Sequence, residues 1–178
     1  MGWGQVSNYS FSSSSGTYTS ITGGTLILSG TTALDTYVSG ALTIPSFTLN
    51  GVSYTTAYVT SNGLLSLGTT APSSTSYSAM NSTTGTGISI CPFNADLDRV
   101  NSTAATELRF QTIGNEVVFQ WTQFKRYLET ESFDLQVRLN TSTGAILFVY
   151  KLNSGPNLLE THTPLFQKHT NPQLINLL

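Results

Sequence analysis

Between Phe133 and Asn140 apolar and polar residues alternate: Phe133, Leu135, Val137 and Leu139 fall on one side, Asp134, Gln136, Arg138 and Asn140 on the other. A period of two is the signature of a half-buried strand, so one face is expected to be core and the other water. Thr141-Ser142-Thr143-Gly144 supplies turn residues, and Ala145–Lys151 returns as a more continuously apolar strand, completing a hairpin. The preceding stretch has the same form. Glu107–Thr112 runs into Ile113-Gly114-Asn115, and Glu116–Thr122 comes back with Val117, Phe119 and Trp121 on one face. Together these runs predict an antiparallel meander. Val52–Thr60 and Leu64–Gly68 flank Ser61-Asn62-Gly63, an Asn-Gly turn signal. Shorter candidate strands are Ser7–Ser12, Thr17–Ile21, Tyr37–Leu42 and Phe47–Leu49, and Ala71–Thr86 reads as a surface loop.

Helical periodicity is hard to find before the tail. A strand-only chain must bury two inner faces against each other, so the expected fold is all-β, an antiparallel β-sandwich of jelly-roll type with about eight to ten strands. The sandwich is expected over residues 6–152, with residues 1–5 as a leftover of processing or cloning. Residues 153–178 carry Pro156, Pro164 and Pro172, both histidines and an apolar end, and read as a C-terminal arm or a terminal strand. Leu174, Ile175, Leu177 and Leu178 are the candidate assembly residues there, because apolar side chains at a chain end need a covering surface.

Composition sharpens this picture. The chain has 178 residues, of which 39% are hydrophobic and only 9% charged, with a net charge of −2. That balance argues against nucleic-acid binding through phosphate neutralisation and against a coiled coil. Surface polarity must come from hydroxyls and amides: 23 Ser and 28 Thr are present, and Asp35 is the only charged residue in the first 90. Cys91, the sole cysteine, lies in an apolar run and reads as a small buried hydrophobe. No apolar run reaches the roughly 20 residues that span a bilayer, so membrane insertion is not expected.

Val6–Tyr18, Tyr58–Gly68 and Ile90-Cys91-Pro92-Phe93-Asn94-Ala95-Asp96-Leu97 resemble phrases of an N-terminal β-sandwich module of secreted and cell-surface proteins of Bacteroidetes-type bacteria. Glu107–Thr112, Phe119–Tyr127 and Phe133–Leu139 are similar to the same module, and Pro-Phe-x-x-Asp-Leu also resembles nidogen-like extracellular domains. The resemblance implies an exported domain, secreted or at the cell surface, without assigned chemistry. The tail after Asn153 departs from it.

Candidate chemistry is sparse. Asn94, Asp96 and Asp98 alternate and could offer oxygen ligands to Ca²⁺, although Asp96 could equally cap a turn or pair with Arg99 or Arg109. Glu129, Glu131 and Asp134 have a spacing that resembles the acid pattern of jelly-roll glycoside hydrolases, but they stand beside Lys125 and Arg126 in what reads as a solvated connection. His162 and His169 match no zinc spacing, and no nucleophile motif accompanies them. Among the aromatic residues Trp121 is expected inside, which leaves Phe124 and Tyr127 as platforms on which a sugar ring could stack. The expectation is a module that is not an enzyme and has no cofactor beyond a candidate Ca²⁺. It would serve adhesion or self-assembly into a fibre or layer, with copies of itself, other surface proteins or glycans as partners, and carbohydrate binding is the alternative. The absence of Lys and Glu, the usual guards of strand edges, from the first 90 residues favours self-pairing.

Overall fold

A computed structural model describes residues 11–30, 34–73, 88–93, 95–100, 106–155 and 173–177. Among them twelve strands form two antiparallel sheets, as a β-sandwich requires. The smaller sheet joins β3 (Leu42–Leu49), β4 (Val52–Val59), β5 (Leu65–Leu67) and β6 (Ile88–Ile90) in chain order. The larger one contains β1 (Phe11–Ser15), β2 (Thr25–Ser29), β7 (Leu97–Arg99), β8 (Glu107–Ile113), β9 (Glu116–Arg126), β10 (Ser132–Asn140), β11 (Ile146–Ser154) and β12 (Gln173–Leu177). Its order is β1-β12-β11-β10-β9-β8-β2, with β7 paired to the far end of β9. The meander β8 to β11 therefore has the form its alternation predicts.

The core lies between the sheets. Phe47, Leu49, Ala57, Val59, Leu65 and Leu67 of the smaller sheet belong to one cluster with Val117, Phe119, Trp121, Leu135, Val137, Leu139, Ile146 and Phe148 of the larger. Asn50 and Gly51 both have positive φ (53° and 77°), the conformation of the tightest hairpin turns, and they join β3 to β4.

The other face of the larger sheet departs from expectation. Asp134 is only 2% exposed and Gln136 is 0% exposed, although alternation assigned both to water. The reason is a strap. Thr17–Ile21, a candidate strand by sequence, forms no strand; residues 16–24 leave β1 at one edge and cross the outer face to β2 at the opposite edge. Ile21 donates its N–H to Gln120 Oε1 at 2.8 Å, and Gln120 Nε2 donates back to the Ile21 carbonyl at 3.1 Å. Gln136 Nε2 reaches the Thr19 carbonyl at 2.8 Å, and Arg109 Nη1 donates to the Thr22 and Gly23 carbonyls at 3.1 and 3.2 Å. Amide side chains thus take the place of a third layer's backbone and answer the main-chain groups of the strap.

The turn between β4 and β5 is also covered. Thr60, Ser61, Asn62 and Gly63 are all buried, where an Asn-Gly turn would usually face solvent. Trp121 Nε1 donates to the Thr60 carbonyl at 2.9 Å from the opposite sheet. Leu97 N–H donates to Asn62 Oδ1 at 2.8 Å, and Asn62 Nδ2 donates to the Asp35 carbonyl at 3.3 Å.

At the start of the tail, β11 runs past residue 152 through Ser154, and Asn153 Nδ2 donates to Asp134 Oδ1 at 2.8 Å. Further on, β12 lies between β1 and β11 in the register Leu174↔Val149, Ile175↔Phe148 and Leu177↔Ile146. Leu178 and residues 156–172 lie outside the described residues.

Gly63 has φ 74°, and a Cβ there would stand 3.1 Å from both Leu97 Cδ1 and the Phe93 carbonyl. Gly63→Ala is therefore expected to destabilise the fold by about 1–3 kcal/mol through backbone strain and crowding. Urea denaturation checks this as a lower midpoint with an unchanged m value.

Candidate functional site

Four regions meet at one end of the sandwich: residues 35–38, the buried turn 60–64, residues 92–93 with 95–98, and the tip of the β9–β10 hairpin. Ser61 and Tyr37 tie the first two together, through Ser61 N–H to the Tyr37 carbonyl at 3.0 Å and Tyr37 N–H to Ser61 Oγ at 3.2 Å. The Asn62 side chain links Asp35 to Leu97. Tyr127 N–H donates to the Asp96 carbonyl at 2.9 Å, which roots the hairpin tip on the same end. From the β11 side, the Tyr150 hydroxyl donates to the Pro92 carbonyl, and the Phe93 and Phe133 rings pack with centroids 4.9 Å apart.

The acidic residues have different roles. Asp96 Oδ1 is buried and has no hydrogen-bond partner among the described residues. Burial pushes the Asp96 carboxyl above the usual carboxylate range, and the nearby charges of Asp35 and Asp98 push it the same way. Asp98 Oδ1 accepts the Arg99 N–H at 2.7 Å, while Arg99 Nη1 donates to the Gly30 carbonyl at 2.8 Å. Asp98 thus spends one carboxylate oxygen on the adjacent backbone of β7. Asn94, the third calcium candidate, lies outside the described residues. Among the described residues no group of three or more His, Cys, Asp or Glu side chains is arranged to hold a metal ion.

The carboxylates of the hydrolase-like spacing are held apart by their environments. Glu129 is exposed on the hairpin tip. Glu131 is 1% exposed and pairs with Arg126, whose Nε lies 2.6 Å from Oε1 and whose backbone N–H donates to the same oxygen at 3.2 Å. Burial alone would raise the Glu131 carboxyl, but the Arg126 side chain and backbone hydrogen bonds outweigh it and hold the group below its ordinary value. Asp134 accepts hydrogen bonds from Gln123 N–H at 2.8 Å, Asn153 Nδ2 at 2.8 Å and Lys151 Nζ at 3.4 Å. Two of the three acids are therefore engaged in holding β9, β10 and β11 together.

Of the two stacking candidates, Phe124 requires correction. It is 0% exposed and stands opposite Phe133 in the core. Counting in twos from Trp121 would send Phe124 outward, but Gln123 adopts φ 59° at a register shift in the β9–β10 pairing, and the extra residue turns Phe124 inward. Tyr127 is 50% exposed, as a platform must be. Beside it stands a residue the alternation pattern did not mark: Leu128, 80% exposed with φ 63°. Its only sequence signal is an apolar pair, Tyr127-Leu128, inside a charged turn lacking Gly and Asn. Cys91 is half-buried, and burial pushes its thiol up to about 11. His162 and His169 lie outside the described residues.

The sequence profile of a family described as NIDO related matches residues 8–163. Neither the curated proteins nor the solved structures contain a match to the chain.

The two perturbed carboxyls have opposite signs of linkage. Glu131, depressed in the fold, contributes stability above the ordinary glutamate range that is lost as pH falls through its lowered value. Glu131→Gln is expected to cost roughly 1–3 kcal/mol at neutral pH, and the gap to the parent should narrow as the pH falls. Asp96, raised in the fold, opposes folding once the unfolded chain ionises, so Asp96→Asn should raise the melting temperature at pH 7 and lose that advantage in acid. Thermal melts of both variants from pH 3 to pH 7, in EDTA, check the pair of signs.

Proposed function

The chain belongs to the NIDO-related family, and from that premise we propose that it is a non-enzymatic module that works outside the cell, on the cell surface or in a secreted protein, by direct contact in adhesion or assembly. The observation that carries this reading is the β9–β10 tip. Tyr127 and Leu128 are adjacent and 50% and 80% exposed, and Leu128 is held in a left-handed backbone that a leucine adopts at a cost. Large apolar side chains presented together from a rigid hairpin favour a partner that desolvates them.

Two further features support it. The carboxylates that could have formed an acid and base pair are spent on internal bonds or stand alone on the tip. Asp35 is the only charged residue in the first 90, and β3, an edge of the smaller sheet, carries no charge along Leu42–Leu49. Pro45 and a register shift interrupt that edge, so it is an imperfect strand template and the tip is the better contact. Sugar binding is the second reading, and the half-exposed Tyr127 ring favours it: an aromatic face in a charge-poor setting can stack on the C–H surface of a sugar.

Leu128→Gly tests the proposal, because glycine accepts the backbone while removing the side chain. Stability should stay within about 1 kcal/mol of the parent. Binding to immobilised copies of the protein or to whole cells should weaken about 10- to 100-fold, the equivalent of one buried leucine. Undiminished binding would reject the tip as the contact surface. A positive glycan array that Tyr127→Ala clears and Leu128→Gly leaves intact would establish the sugar reading in its place.

A further inference from the structure

The strap over the larger sheet is held in an unusual way. Six hydrogen bonds among the described residues join residues 19–23 to the side chains of Arg109, Gln120, Gln136 and Arg138, and every one ends on a main-chain atom of the strap. The set comprises the paired bonds of Gln120 with Ile21, those of Gln136 and Arg138 to the Thr19 carbonyl, and those of Arg109 to the Thr22 and Gly23 carbonyls. One apolar side chain adds to them: Ile21 is 5% exposed. The neighbouring Ser20, Thr19 and Thr17 side chains are exposed. The track thus reads an extended backbone with two anchoring side chains, Ile21 and the half-buried Tyr18, whose ring lies 5.9 Å from Lys151 Nζ, ahead of a Gly24 that holds φ 74°.

We propose that this track is an interaction surface for a second copy of the chain, which takes the place of the strap by inserting its own residues 11–23. The structure itself identifies the occupant: the segment that fits the track is this one, and a second copy carries the same segment. Among the described strands β1, the outer end of the arm, pairs only with β12, so the arm is joined to the body by edge contacts and by the track. Rotation at Gly23 and Gly24 releases it without disturbing β2, whose pairing with β8 begins at Thr25. The exchanged and closed forms contain the same bonds, so their balance is set by concentration and by the hinge. The strength of the track sets the rate of exchange. This inference stands apart from the hairpin tip, which lies on the β9–β10 turn and is not part of the track.

Full-length protein carrying a photoreactive benzoylphenylalanine at Ser20 tests it. Normal and ¹⁵N-labelled preparations are mixed at high concentration, incubated, irradiated and mapped by mass spectrometry. Mixed-isotope links between the strap and β9 or β10 that decline on dilution support arm exchange, and links confined to one isotope overturn it. Because the photoreactive residue could perturb the strap, subunit exchange is also followed by native mass spectrometry with the unmodified chain and Gln120→Leu. Arm exchange requires Gln120→Leu to speed mixing severalfold while leaving the dimer dissociation constant within about twofold. A large change in the dissociation constant without faster mixing would replace the proposal with an ordinary face-to-face contact. Leu128→Gly should leave the mixed-isotope strap links in place even where it weakens contact through the hairpin tip. If Leu128→Gly abolishes cell binding while no mixed links form, the tip reading stands and arm exchange falls.

Discussion

The hydrogen bond from the Trp121 indole to the Thr60 carbonyl joins the two sheets at a fully buried turn. It requires the β4–β5 turn to be pulled inside, and a buried turn must have each of its polar groups answered. Thr60 N–H goes to the Leu64 carbonyl, Ser61 pairs with Tyr37, and Asn62 spends both ends of its amide on Asp35 and Leu97. From that demand follow the paths of residues 35–38, 92–93 and 95–97, which have little regular structure of their own. The position of the hairpin tip follows in turn, since Tyr127 is fastened to the carbonyl of Asp96. One interior turn therefore fixes the whole end of the sandwich that carries the candidate site.

A second constraint comes from the shortage of charge. With few ionic groups available, the layer outside the larger sheet is built from Gln, Asn, Ser and Thr, whose amides and hydroxyls can donate and accept within one side chain. Gln120 accepts from one atom of the strap and donates to another, and it also accepts from Gln136 and donates to Thr122. A lysine or glutamate could not do both. Two of the ion pairs on this face, Arg138 with Glu116 and Arg109 with Glu107, flank the network.

Strand identity in the second half of the chain was legible because each strand there has one face in the core, and burial on one face is what an alternating sequence records. Burial on the other face was not legible. Nothing in Asp134 or Gln136 tells whether water or a strap lies above them; that depends on a segment more than 100 residues earlier in the chain. The inward turn of Phe124 was hidden for a related reason, because a bulge at Gln123 breaks the count by one and no glycine marks it. In the candidate site, the acidic residues were visible as types. Their separate fates depended on which neighbour arrived: Arg126 for Glu131, three donors for Asp134, and none among the described residues for Asp96 Oδ1.

Among the described residues three other than glycine adopt the left-handed backbone, and the contrast between them gives the tip its significance. Asn50 forms the first half of a two-residue hairpin with Gly51, a setting in which asparagine is at ease. Gln123 is compensated internally: its N–H meets Asp134, its carbonyl accepts from Thr106 and Val100, and its side-chain oxygen accepts from Ser132. Leu128 has no such account among the described residues, and its side chain stands 80% in solvent. Gly, Asn or Asp at that position would relieve the backbone and improve solubility together. A leucine there opposes both, and the proposed contact role supplies the offset: a partner that covers the side chain would meet a tip whose orientation is set by the hydrogen bonds that root the hairpin.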